Sequence, residues 1–93
     1  MIYPVDLYMT QNEFDTIIKN AESNFMKTRA SYSPDKRSNC VQFWVKMYPA
    51  QVSTLYIEDL IMSYKEAGWK HVEVTFTDEN TRLMVYLNND QHL

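Results

Sequence analysis

STLYIEDLIMSYKEAGWKHVEVTFTDENTRLMVYL, residues 53–87, is the best punctuated stretch of the chain and decides its fold. It reads in order as a helix, a glycine stop, a strand, a polar turn and a second strand. Ser53 can cap the helix, because its hydroxyl can accept from an N–H that the first turn leaves unpaired. Ile57, Leu60, Ile61 and Tyr64 recur at i, i+3, i+4 and i+7, one buried stripe. Glu58, Asp59, Ser63, Lys65 and Glu66 take the other side. Gly68, the only glycine in the chain, stands where a left-handed residue ends a helix without a Cβ clash. Trp69 follows it, placed to touch Tyr64 in the last turn.

After Trp69 the period changes from 3.6 to 2. Val72, Val74 and Phe76 alternate with polar residues, and Leu83, Val85 and Leu87 alternate with Arg82, Met84 and Tyr86. Between them lies the polar link Asp78-Glu79-Asn80. The pattern predicts an antiparallel hairpin with one buried face. With no glycine in the link, a loop longer than two residues, built on a type I turn, is expected.

Working outward, residues 40–48 form another alternating run. Val41, Phe43, Val45 and Met47 lie on one face, and Gln42, Trp44, Lys46 and Tyr48 on the other. Pro49 ends it. Thr10 to Glu13 spells a capping box, with the Thr hydroxyl and the Glu carboxylate each placed to satisfy a free N–H. Met9 and Phe14 are placed as its hydrophobic staple. Phe14, Ile17, Ile18, Ala21 and Phe25 then predict a helix over residues 11–27. Its acids lie early and its bases late, as the helix dipole favours. Residues 2–9 are a short apolar segment with Pro4 near its start, which suits an edge strand. Residues 88–93 read as a frayed tail.

The expected order is strand, helix, strand, helix, strand, strand, with the first strand an edge strand. This is an α+β two-layer sandwich in a single domain, with two helices on one face of a three- or four-stranded, mainly antiparallel sheet. The strand order is left open.

Composition narrows the function. Ninety-three residues with 13 aromatics and little Gly or Pro make one packed domain. The net charge of −3 gives no global case for nucleic acid or membrane. One cysteine, Cys40, excludes an intrachain disulfide and gives no support to a thiolate metal site. A buried thiol is the expectation there. No apolar run is long enough to span a bilayer, and no signal-peptide pattern opens the chain, so a cytoplasmic protein is expected.

Catalytic signatures are missing. His71 and His92 fit no metal-binding spacing. One glycine cannot supply a phosphate loop, a dinucleotide fingerprint or a nucleophile elbow. His71 and Glu73 share a strand face and could exchange protons, but no nucleophile signature accompanies them. A non-enzyme without metal or cofactor is the expectation.

The clearest asymmetry is in residues 27–48. Lys27, Arg29, Lys36, Arg37 and Lys46 face only Asp35 there, a local charge of +4 against −7 for the rest of the chain. Trp44, Lys46 and Tyr48 on the strand, with Tyr32, Lys36 and Arg37 in the preceding loop, form a candidate partner-binding set. Trp, Tyr and Arg dominate protein interfaces. Aromatics flanked by cations can also stack the bases of a single strand, RNA before DNA. The plainer alternative is that the rings pack under a loop or a dimer contact and the charges are solvated. A homodimer through a sheet edge or the aromatic face is also open.

At Tyr64-Lys65-Glu66-Ala67-Gly68-Trp69-Lys70-His71-Val72-Glu73-Val74 the chain resembles small accessory proteins of large tailed bacteriophages. Many of those end a helix with a Tyr-rich turn and Gly-Trp before an edge hairpin. The resemblance covers the last third of the chain. It implies a small early or accessory protein that binds and inhibits or modulates a host protein in the host cytoplasm. It carries over no functional residue.

Overall fold

Alternating runs of apolar residues become three strands, and the two i, i+3, i+4 stripes become the helices that cover them. The computed structural model describes residues 1, 7–30, 40–77 and 79–89. Its elements are α1 (Gln11–Ala30), β1 (Cys40–Lys46), a single 3-10 turn at Pro49–Gln51, α2 (Thr54–Glu66), β2 (His71–Phe76) and β3 (Arg82–Asn88). The α+β sandwich is as expected, with three strands.

The sheet order is β1-β3-β2, with both pairings antiparallel. β1 and β2 therefore run parallel to each other with β3 between them, and α2 makes the crossover of a split β-α-β unit. The hairpin of β2 and β3 matches the sequence expectation. The pairing of β1 with β3 sets Trp44 opposite Met84 and Lys46 opposite Arg82.

Both ends of α2 follow the sequence. The Leu55 N–H donates to Ser53 Oγ at 3.3 Å. At the other end Gly68 takes φ +114, the Gly68 N–H donates to the Lys65 carbonyl and the Trp69 N–H to the Tyr64 carbonyl. That pair of bonds is the Schellman arrangement, and it satisfies carbonyls the last turn would otherwise leave open. In α1 the Glu13 N–H donates to Thr10 Oγ1 at 3.1 Å. The reciprocal half differs from expectation: the Thr10 hydroxyl itself donates to Glu13 Oε1 at 3.3 Å.

Other boundaries shift. α1 runs to Ala30, three residues further than the stripe requires. β1 ends at Lys46, short of the expected residue 48. Gln51 Oε1 accepts from the Tyr48 N–H at 3.2 Å and folds the chain into the 3-10 turn. The expected first strand falls mostly on residues 2–6, outside the described residues. Its remainder, residues 7–9, is not a strand. The Met9 N–H donates instead to the Gln51 carbonyl at 2.8 Å, which ties the entry of α1 to the 3-10 turn.

The core lies between the sheet and the helices. Phe14, Leu83 and Val85 are fully buried, and Ile18, Val41, Phe43, Val45, Tyr64, Val74 and Leu87 surround them. Val72, Phe76, Ile57, Leu60 and Ile61 complete it from partly buried positions. α1 lies over β1 and α2 over β2.

Candidate functional site: the open face of the sheet

Side chains alternate across a strand, so the residues between the buried ones must point away from the helices. On β1 these are Cys40, Gln42, Trp44 and Lys46, and the strand's burial alternates accordingly. On β3 they are Arg82, Met84, Tyr86 and Asn88, and on β2 His71, Glu73 and Thr75. The register assembles them into rows. Tyr86 lies between Gln42 and Glu73, Met84 between Trp44 and Thr75, and Lys46 beside Arg82. Among the described residues no helix covers this face, because both helices pack on the other one.

Trp44 remains 48% exposed and Tyr48, just beyond the strand, 44%. Two members of the predicted set, Trp44 and Lys46, are therefore on one open surface, and Tyr48 continues from it. Tyr32, Lys36 and Arg37 lie outside the described residues. Cys40, expected to be buried, is half-buried and free at the start of β1.

Arg82, Met84 and Tyr86 were not grouped with Trp44 from sequence. Their alternation was visible, but only the β1–β3 pairing makes them neighbours. Met84 and Tyr86 are half-buried, and side chains beside them hold them in place. The Gln42 amide donates to Met84 Sδ at 3.4 Å. The Asn88 amide donates to Tyr86 Oη at 2.8 Å. The Trp44 and Tyr86 positions are diagonal neighbours, within reach of one another's rings.

Lys46 and Arg82 stand directly opposite across the two strands. Like charges in that position repel. Neither makes an ion pair among the described residues. Glu79 shares a shallow hollow with Trp44, Thr77, Thr81 and Arg82 at the hairpin end, yet does not close a salt bridge.

His71 and Glu73 are exposed on β2, opposite Asn88 and Tyr86. Among the described residues no group of three His, Cys, Asp or Glu side chains could hold a metal ion. No helix among them is long and apolar enough to cross a membrane. No protein-family model, no curated protein and no solved structure matches this chain.

Proposed function

We propose that the protein is a non-catalytic binding protein whose open sheet face docks an acidic patch on a host protein, in the manner of a phage-type inhibitor or modulator. One observation carries this reading. The face sets Lys46 and Arg82, which make no ion pair among the described residues, beside a half-exposed Trp44. Folding alone does not favour that couple, since the repulsion is a cost to the free protein. A carboxylate-bearing partner removes the repulsion while Trp44, Met84 and Tyr86 supply the desolvated centre that interfaces need. The host-protein identity of the partner comes from the phage-protein resemblance and adds no residue to the surface.

The test is affinity purification from host lysate with the parent protein, with Trp44→Ala/Arg82→Glu, and with Met62→Ser as a control on the exposed outer side of α2. A partner held by the parent and by Met62→Ser, lost with the double variant and released by salt is the expected result. Retention of every partner by the double variant overturns the assignment of this face.

Single-stranded RNA is the second reading. Trp44 and Tyr86, diagonal on a sheet face with two cations at one end, resemble a stacking platform. Nuclease treatment of the same lysate separates the two: an RNA partner disappears with it, and its affinity falls steeply with salt as counterions are released.

A further inference from the structure

The helices do not close over the sheet along their whole length. They meet near their N-termini, where the rings of Phe14 and Tyr56 lie 5.7 Å apart. Toward their C-terminal ends a cleft of about 120 Å³ opens between them. Glu22, Phe25 and Met26 of α1 form one wall, Phe43 of β1 lies in the floor, and Tyr64 and Trp69 form the far wall. Three local rules put those groups there. Glu22, Phe25 and Met26 lie at i, i+3 and i+4 on one helix face. The Schellman turn brings Trp69 back against Tyr64. Phe43 points to the covered side by strand alternation.

Two groups in these walls make no sense as core alone. Tyr64 is only 8% exposed, and its hydroxyl is closed off with no hydrogen-bond partner among the described residues. A phenylalanine would fill the same place without a stranded donor. Glu22 is half-buried in a wall that is otherwise apolar or aromatic. Burial pushes its carboxyl pKa up, against the opposing pull of Lys19 one turn earlier. The charge of Glu22 also reaches Tyr64, whose phenol is held far on the neutral side by burial first and by Glu22 second. The cleft is thus a ring-lined hollow with one half-buried carboxyl in its wall. Rings and a carboxylate are the surroundings that stabilise a desolvated organic cation.

We infer that this cleft binds a small free ammonium compound with apolar substituents on its nitrogen, seated against Phe25, Phe43 and Trp69 and opposite the Glu22 carboxylate. The volume suits a headgroup and no more, being close to that of a cavity that accepts a single benzene ring. The site lies on the helix side of the sheet, away from Trp44. It is therefore independent of the docking face.

The two tryptophans make the test direct, because Trp69 lines the cleft and Trp44 stands on the opposite face. Choline is titrated into the isotope-labelled protein alongside its neutral isostere, 3,3-dimethylbutan-1-ol. Choline is expected to shift the Trp69 indole N–H and the Met26 methyl saturably and leave the Trp44 indole and the Met84 methyl in place. The neutral isostere should bind about tenfold more weakly, and Glu22→Gln should remove most of that preference. The amide spectrum of the variant confirms that it is folded. Equal affinity for the two compounds overturns the inference, as does a choline affinity unchanged in Glu22→Gln. Absence of a saturable shift at Trp69 overturns it as well. A failure of the docking face would show at Trp44 and leave these signals unaffected.

Discussion

The two faces of the sheet are built from the same three strands, residue by alternate residue, yet different requirements govern them. On the covered face Val41, Phe43, Val45, Leu83, Val85 and Leu87 are all buried under the helices. Burial accounts for every one of them. On the open face Trp44 is exposed next to Lys46 and Arg82, with Met84 and Tyr86 half-buried between their neighbours. Burial does not account for Trp44, Lys46 or Arg82, and the juxtaposed cations work against folding. A residue choice that folding does not explain is where a binding reading has content.

Equilibrium urea unfolding of paired variants would break this contrast most sharply. Leu83→Ala removes a side chain with no exposure from the middle of the core and should cost about 2–5 kcal/mol through lost burial plus the cavity left behind. Trp44→Ala, on the adjacent face, should cost less than about 1 kcal/mol, since nearly half of the residue is already in water. Comparable losses for the two would mean that Trp44 belongs to the fold and has no spare role.

The helix stop is the next lever on the covered side. A Cβ built on Gly68 meets nothing within 4 Å, so Gly68→Ala tests backbone strain alone. At φ +114 a side chain is strained wherever there is room, and a loss of about 1–2 kcal/mol is expected. The same variant should disturb the Trp69 indole signal and leave Trp44 unmoved. A neutral substitution would show that the Schellman turn is free to rearrange.

Arg82→Gln probes the open face with the opposite sign. Removing one member of the Lys46–Arg82 couple should raise stability by about 0.2–1 kcal/mol, since cross-strand like charges repel. It should also weaken capture of the partner. A variant that gains stability and loses binding is the signature of a residue kept for recognition. A loss of stability would instead mean that Arg82 has a structural partner and that the couple carries no functional message.

Much of the covered side was legible because its rules are local. Ser53, Gly68-Trp69 and the alternations that flank 78–80 each act over a few residues, and each is found as read. The hairpin loop shows the limit of such reading. With no glycine available, Asn80 takes the positive φ of 54 that the loop needs, which a short polar side chain tolerates. The Asn80 N–H donates back to the Thr77 carbonyl at 2.8 Å. The open face was legible only in part. Period 2 shows that Trp44 and Lys46 share a side. That Arg82, Met84 and Tyr86 share it with them depends on β3 entering between β1 and β2, and nothing local encodes that choice. Capping chemistry slipped for a related reason: Thr10 and Glu13 were correctly paired, but which oxygen donates to which depends on side-chain geometry that spacing does not specify.

The smallest effect concerns Glu22, a carboxylate half-buried on the covered side. Burial raises the Glu22 pKa above the ordinary 4.5, with Lys19 pulling the other way. In the pH window just above that ordinary value the folded protein keeps a proton that the unfolded chain has released. The native state then binds more protons than the unfolded state, so stability falls as pH rises through the window. The contribution is fully present below the unfolded pKa and lost above the folded one. Urea midpoints measured across mildly acidic to neutral pH should therefore decline in the parent, and Glu22→Gln should flatten that decline. If Glu22→Gln leaves the decline as it was, the acid desolvated by burial is not Glu22, and the division of labour between the two faces would have to be redrawn.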